Sequence, residues 1–199
     1  MTGSITGEDS HEMEKIDAHT HHPGDVCESV ALLQELNLRV INIAIAVSSK
    51  DWRSEGVWAA DRYRNLARSH PGQYAWCTSF DLPTGEDPEY AEMVIESLKK
   101  DLAAGAVACK FWKNIGLEVR TPSGDYLQVD DPCLAPIFSY LQNAGVTVVI
   151  HAGDPQKYWK PLNDGSGPIP TKAISSRHNW TGGATSPLTK RFLPRVTES

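Results

Sequence analysis

Along residues 15–155, two kinds of hydrophobic pattern follow each other in turn. Short, almost continuously apolar runs are typical of buried strands, and longer segments with apolar residues three and four apart are typical of helices. The pattern predicts five strands, at KIDAHTH, LRVINIAIAV, GQYAWCTSF, AVACKFW and VTVVIHAGDP. Helices are predicted between them, at VCESVALLQELN, GVWAADRYRNLARSH, EYAEMVIESLKKDLAAG and PCLAPIFSYLQNAG.

The alternation of strand and helix predicts an α/β protein with a parallel sheet covered on both faces. No Gly-rich phosphate loop follows the first strand, and the pattern fits a (β/α)8 TIM barrel better than an open doubly wound sheet. Such a barrel takes roughly 250 residues. Five strands are used by residue 152, so only about the first five β/α units are expected here.

Three regions are predicted along the chain. Residues 1–13 form a polar leader that we expect to be flexible, and residues 14–160 form the partial barrel. Residues 161–199 are rich in Gly, Ser, Thr and Pro and contain no strand-like run, which predicts an irregular or disordered tail.

Composition narrows the range of partners and compartments. The 199 residues carry a net charge of -6, which argues against nucleic acid or an anionic membrane surface as partner. No apolar run reaches the ~18 residues that a membrane span requires. The leader does not resemble a secretory signal, and the four cysteines are widely spaced, without a CxxC pair. We therefore expect a cytoplasmic protein with reduced thiols.

The first predicted strand concentrates candidate metal ligands. Strict alternation places Asp17, His19 and His21 on one face and Ile16 and Ala18 on the other. Two neutral imidazoles on one face can bind Zn²⁺ or a similar divalent ion from one side. An HxH pair taken alone is also compatible with a structural or accidental role.

Two later strands carry polar residues at the same end. Alternation places Lys110 with Ala106 and Ala108 in the fourth strand, and His151 with Val149 in the fifth. The carboxyl ends of barrel strands are where catalytic sites form. His151 is thus a candidate third ligand, although a strand-end role is an alternative. Lys110 could be carboxylated and bridge two metals, bind substrate or metal-bound water, or extend its amine to solvent.

The remaining candidates have weaker assignments. Asp17 could orient a ligating histidine or stabilise the strand end, and Asp154 could act at the site or in a turn. His22 is interpreted as a turn residue, and two tryptophans as packing residues or pocket walls (Trp112 and Trp159). No role is assigned to the other histidines (His11, His70 and His178).

Three motifs together resemble the amidohydrolase-related family of metal-dependent (β/α)8-barrel enzymes. They are DAHTH in the first strand, KFWKNIG at the fourth and VIHAGDP at the fifth, and the resemblance covers about residues 14–160. It implies that His19, His21 and His151 bind metal. It also implies that Lys110 bridges metals or contacts substrate.

The resemblance ends before the later strands. Full-length members supply another histidine from the sixth strand and an aspartate from the eighth, which binds metal and shuttles protons. Here His178 is not in a strand-like run and no aspartate follows it. We therefore expect a C-terminal truncation, whether from the gene model, splicing or a shifted frame.

Three functions are compatible with these residues. The leading hypothesis is a Zn²⁺-dependent hydrolase that cleaves a C–N or C–O bond of a small-molecule substrate, with activity impaired by truncation. A non-oxidative decarboxylase of a small carboxylated substrate is the alternative enzyme. The third hypothesis is a non-catalytic fragment that binds metal or pairs with a paralogue. Open strand edges would allow such pairing, or formation of a homo-oligomer.

Overall fold

Five short apolar segments form one parallel sheet. The computed structural model describes residues 13–22, 27–47, 51–56, 58–83 and 87–151. The strands are β1 (Lys15–Thr20), β2 (Leu38–Ile43), β3 (Tyr74–Thr78), β4 (Ala106–Phe111) and β5 (Thr147–Ile150). Each lies within a predicted strand, although β2 ends at Ile43 and not at Val47.

The helices occupy the segments between the strands. They are α1 (Cys27–Glu35), α2 (Ala60–Ser69), α3 (Tyr90–Ala103), the short and kinked α4 (Asn114–Leu117) and α5 (Ala135–Asn143). A 3₁₀ turn (Pro132–Leu134) leads into α5, and the Asp131 carboxylate caps it by accepting the Cys133 amide at 3.0 Å. Gly145 follows α5 with φ of +66°, a backbone conformation that favours glycine and commonly ends a helix.

The strand order is β1-β2-β3-β4-β5, and every pairing is parallel. Each connection therefore moves one strand further in the same direction, without the reversal that defines a doubly wound sheet. This confirms the α/β class and the parallel sheet. The arrangement is compatible with part of a (β/α)8 barrel.

The chain divides into two compact units. The first comprises Met1–Trp112 and Asp130–Ile150 and contains the whole sheet; the second comprises Lys113–Val129 and His151–Ser199. In the second unit, residues 122–125 (PSGD) form a turn, which is closed by the hydrogen bond from the Thr121 amide to the Asp125 carbonyl at 2.8 Å. Most of the predicted leader and the whole of the predicted tail lie outside the described residues.

Apolar residues pack on both faces of the sheet. On one face, helices α1 and α2 pack on the sheet through a cluster of buried residues from both helices, β2, β3, the start of β4 and the loop after β2 (Val30, Leu33, Val40, Ala44, Ala46, Trp52, Ala60, Tyr63, Leu66, Tyr74, Trp76 and Ala106). We call this the helix-covered face. On the other face, which we call the inner face, Ile43, Cys77 and Ala108 pack with Ile41 and Val149.

Two irregularities in the strand pairing correct the predicted faces. Asp17 pairs with Val40 and Thr20 with Asn42, so β1 advances three residues where β2 advances two. Paired residues point to the same side, which places Asp17 on the helix-covered face with Val40. Strict alternation across β1 was therefore wrong, because one extra residue reverses the order of faces.

A second irregularity lies in β4. Trp76 pairs with Ala106, whereas the next residue, Cys77, pairs with Ala108. Ala106 consequently belongs to the helix-covered cluster and Ala108 to the inner one. The prediction that Ala106 shares a face with Lys110 is wrong for the same reason as in β1. Lys110 itself pairs with Val149, an inner-face residue.

Candidate functional site

The imidazole rings of His19 and His21 lie side by side at the carboxyl end of β1. Their ring centres are 5.4 Å apart, with the planes inclined at 75°. Thr20, between them, is placed on the helix-covered face by its pairing with Asn42. Its neighbour His19 therefore points to the inner face, and the ring contact places His21 there as well.

A backbone hydrogen bond fixes the chemistry of the His21 ring. Its Nδ1 lies 2.9 Å from the carbonyl oxygen of Ile43, which is only an acceptor. Nδ1 therefore carries the hydrogen, and the lone pair of the neutral imidazole resides on Nε2. Metal-binding histidines commonly have this arrangement, in which a carbonyl or carboxylate orients the ring and raises its basicity.

Polar contacts with β2 hold the irregular end of β1. The Thr20 hydroxyl lies 2.9 Å from Asn42 Oδ1, and the same oxygen accepts the His22 amide at 2.7 Å. The Asp17 carboxylate accepts the His19 amide at 3.0 Å. This contact fits the strand-end role considered for Asp17, and the orientation of a ligating histidine stays a prediction.

Two residues near the pair were not identified from the sequence. Asn42 is fully buried, and the signal was its position as the one amide in the apolar run LRVINIAIAV. The Trp58 ring lies 5.8 Å from the His21 ring and is 40% exposed. No pattern around Trp58 indicated this contact, because it depends on how the loop after β2 returns to β1.

Lys110 lies at the carboxyl end of β4, and its side chain is 1% exposed. Among the described residues its Nζ has no hydrogen-bond partner. Burial lowers the pKa of this amine, and nearby Cys77 opposes the shift only in part. The alternative in which Lys110 extends its amine to solvent is therefore wrong: the amine is enclosed within the protein.

The other predicted site residues are not assembled by the described structure. His151 directly follows β5, is half-buried and belongs to the second unit, so its role as a ligand stays a prediction. Asp154 lies outside the described residues, as do His11, His178 and Trp159. The predicted turn residue His22 has its ring 5.8 Å from that of Tyr74, and the His70 ring is 6.1 Å from the same tyrosine.

The donor set fits a divalent ion as two of its ligands. Two imidazoles on one tetrahedral ion, with metal–nitrogen distances of about 2 Å, place their ring centres roughly 5 Å apart. The His19–His21 separation of 5.4 Å matches this spacing. Within the described ranges, no group of three or more His, Cys, Asp or Glu side chains is placed to hold a metal ion. A complete coordination shell is therefore a prediction beyond this pair.

No protein-family model, curated protein or solved structure matches this chain. In the part of the chain that the structure describes, no helix is long and apolar enough to cross a membrane. The likeness to the amidohydrolase-related family accordingly rests on the three sequence motifs alone and stays a prediction.

Proposed function

We propose that this protein is a metal-dependent hydrolase of the amidohydrolase-related family, acting on a C–N or C–O bond of a small molecule. One observation carries the proposal: His19 and His21 are paired at a strand end, and the Nδ1–H of His21 is bonded to the Ile43 carbonyl. That bond supports the proposal because it keeps the hydrogen on Nδ1 and leaves the lone pair of the neutral ring on Nε2, the nitrogen through which the ring would bind an ion.

The residues of the chain have separate roles in this proposal. His19 and His21 hold the ion, their two nitrogen donors favour Zn²⁺, and His151 is the predicted third ligand. A bound ion supplies acidity, since it lowers the pKa of its water to about 7. Lys110 contacts the substrate from the inner face, and Asp154 is predicted to act at the same site.

A non-catalytic metal-binding chain is the second candidate. It is favoured by one observation, the lack of a three-ligand group within the described ranges. Both candidates require metal at His19 and His21. Only the hydrolase turns over a substrate, so metal content and activity must be measured separately.

The test is metal stoichiometry by elemental analysis of the soluble, monodisperse chain. A His19→Ala, His21→Ala variant is measured beside the wild type, with His70→Ala as the matched control. We expect about one equivalent of Zn²⁺ in the wild type and in the control, and loss of the metal in the double variant. Equal metal content in all three proteins would overturn the proposal.

Metal-loaded protein is then screened for release of product from amide and ester substrates. Hydrolysis that is absent in the double variant supports the enzyme. Bound metal without hydrolysis or decarboxylation of any substrate supports the non-catalytic candidate.

A further inference from the structure

Lys110 is a buried ionisable group whose environment is unusual for a structural lysine. Its side chain is 1% exposed, and among the described residues its Nζ makes no hydrogen bond. An ammonium has three N–H donors, and leaving them unmet away from water is costly. The site therefore favours the neutral amine, which has a lone pair available for reaction.

The residues around Lys110 indicate which kind of ligand could bind beside its amine. Lys110 pairs with Val149 on the inner face, where Ile43, Cys77 and Ala108 form the apolar cluster. The backbone is held in place, because the Ser79 hydroxyl donates to the Lys110 carbonyl at 3.0 Å. A charged ligand would lose its hydration there without gaining a counter-charge from this cluster. An uncharged ligand fits the surroundings better.

The neighbouring thiol does not compete with the amine as a nucleophile. Burial raises the pKa of Cys77 to about 12, so near neutral pH it remains a thiol. Burial acts on Lys110 in the opposite sense and favours its uncharged, nucleophilic form.

We propose that Lys110 is a nucleophilic amine that condenses with a small, uncharged aldehyde or ketone to form an imine. The nitrogen lone pair attacks the carbonyl carbon, a C–N bond forms, and the carbonyl oxygen takes up the proton that nitrogen releases. The resulting carbinolamine loses its hydroxyl group and the second amine hydrogen as water, which leaves C=N. The reaction requires no oxidant, reductant or metal, so the inference does not rest on the proposed hydrolase.

Reductive trapping tests this directly on the full chain. The folded protein is incubated at neutral pH with acetaldehyde, chosen for its small size, and sodium cyanoborohydride, and the modified peptides are mapped by mass spectrometry. Lys99 serves as the internal control, since it is exposed and pairs with Glu96 at 3.4 Å. We expect Lys110 to carry the adduct before Lys99 does, and this preference to disappear in urea.

The Lys110→Arg variant keeps a positive charge but lacks the reactive amine, so the early adduct should be lost while Lys99 labelling is unchanged. If that variant does not fold, the wild-type peptide map decides alone. An unmodified Lys110 in folded protein whose Lys99 is modified would overturn the inference. Repeating the trapping on the His19→Ala, His21→Ala variant separates the two proposals, because imine formation should persist there without metal.

Discussion

Asp101 and Lys110 are two buried ionisable residues that lie on opposite faces of the same sheet. Asp101, from α3, is 4% exposed and accepts hydrogen bonds from Arg53 at 3.0 and 3.1 Å and from the Thr78 hydroxyl. Lys110 is 1% exposed, and its Nζ has no hydrogen-bond partner in the described ranges. The helix-covered face supplies hydrogen-bond partners for its buried ionisable group, whereas the described residues of the inner face supply none for the Lys110 amine.

The difference in hydrogen bonding indicates a structural role for Asp101 and a functional role for Lys110. The Asp101 cluster joins three elements, because Arg53 follows β2, Thr78 ends β3 and Asp101 lies in α3. Arg53 is further fixed by stacking on the Trp52 ring, 4.2 Å from its centre. A buried amine without such partners costs stability, and sites that retain this cost are commonly sites of chemistry.

The largest effect is expected when the satisfied charge is removed. Asp101→Ala leaves Arg53 and Thr78 without their shared acceptor, and we expect it to lower the free energy of unfolding by about 3 kcal/mol. Urea unfolding measures the change. Asp61→Ala is the control, since Asp61 forms an exposed pair with Arg64 at 2.9 Å and its loss should cost only about 0.5 kcal/mol. Equal losses in the two variants would contradict this account of Asp101.

Removal of the buried Lys110 amine, which has no hydrogen-bond partner among the described residues, should have the opposite effect on stability. Lys110→Met keeps the length of the side chain and removes the amine, so we expect the free energy of unfolding to rise by about 1–2 kcal/mol. A loss of stability on this substitution would show that Lys110 has a stabilising partner.

The stability that Lys110→Met gains over the wild type should depend on pH. Because folding lowers the pKa of Lys110, the unfolded chain binds more protons at this site, and wild-type stability rises with pH toward the ordinary value of 10.5. The advantage of Lys110→Met should be full below the lowered pKa and fade as the pH approaches 10.5. Urea unfolding at several pH values tests this, and an advantage that grows with pH would contradict it.

A smaller effect is expected from removing one partner of Asp101. Thr78→Val replaces the hydroxyl with a methyl group of similar size, while both Arg53 contacts remain. We expect a loss of about 1 kcal/mol, the usual value of one hydrogen bond. In a double-mutant cycle with Asp101→Ala, the Thr78 effect should vanish, and strictly additive losses would show that the two side chains do not interact.

The sequence predicted the positions of the helices and strands better than it predicted the face of the sheet on which each strand residue lies. Apolar periodicity located all five strands and their parallel order, because burial of each strand is encoded locally. The faces of Asp17 and Ala106 were wrong, because each depends on an extra residue in the pairing between strands. Such a register is decided by tertiary contacts, among them the Thr20–Asn42 bond, and leaves no local pattern.

The candidate site was predictable to a similar extent. The HxH spacing in β1 predicted that His19 and His21 share a face, as their ring contact shows, since two residues on one strand are a local feature. The contact between Trp58 and His21 and the enclosure of the Lys110 amine involve residues distant in sequence. Neither could be derived from the motifs alone.

The most direct test of the metal site is a zinc titration of ¹⁵N-histidine-labelled protein followed by NMR, with His19→Gln and His21→Gln variants to assign the signals. We predict that Nε2 of His21 shifts on zinc binding while its Nδ1 keeps the proton that is bonded to Ile43, and that a nitrogen of His19 shifts at the same zinc concentration. Zinc binding that displaces the Nδ1 proton of His21, or that leaves both rings unchanged, would contradict the proposed site.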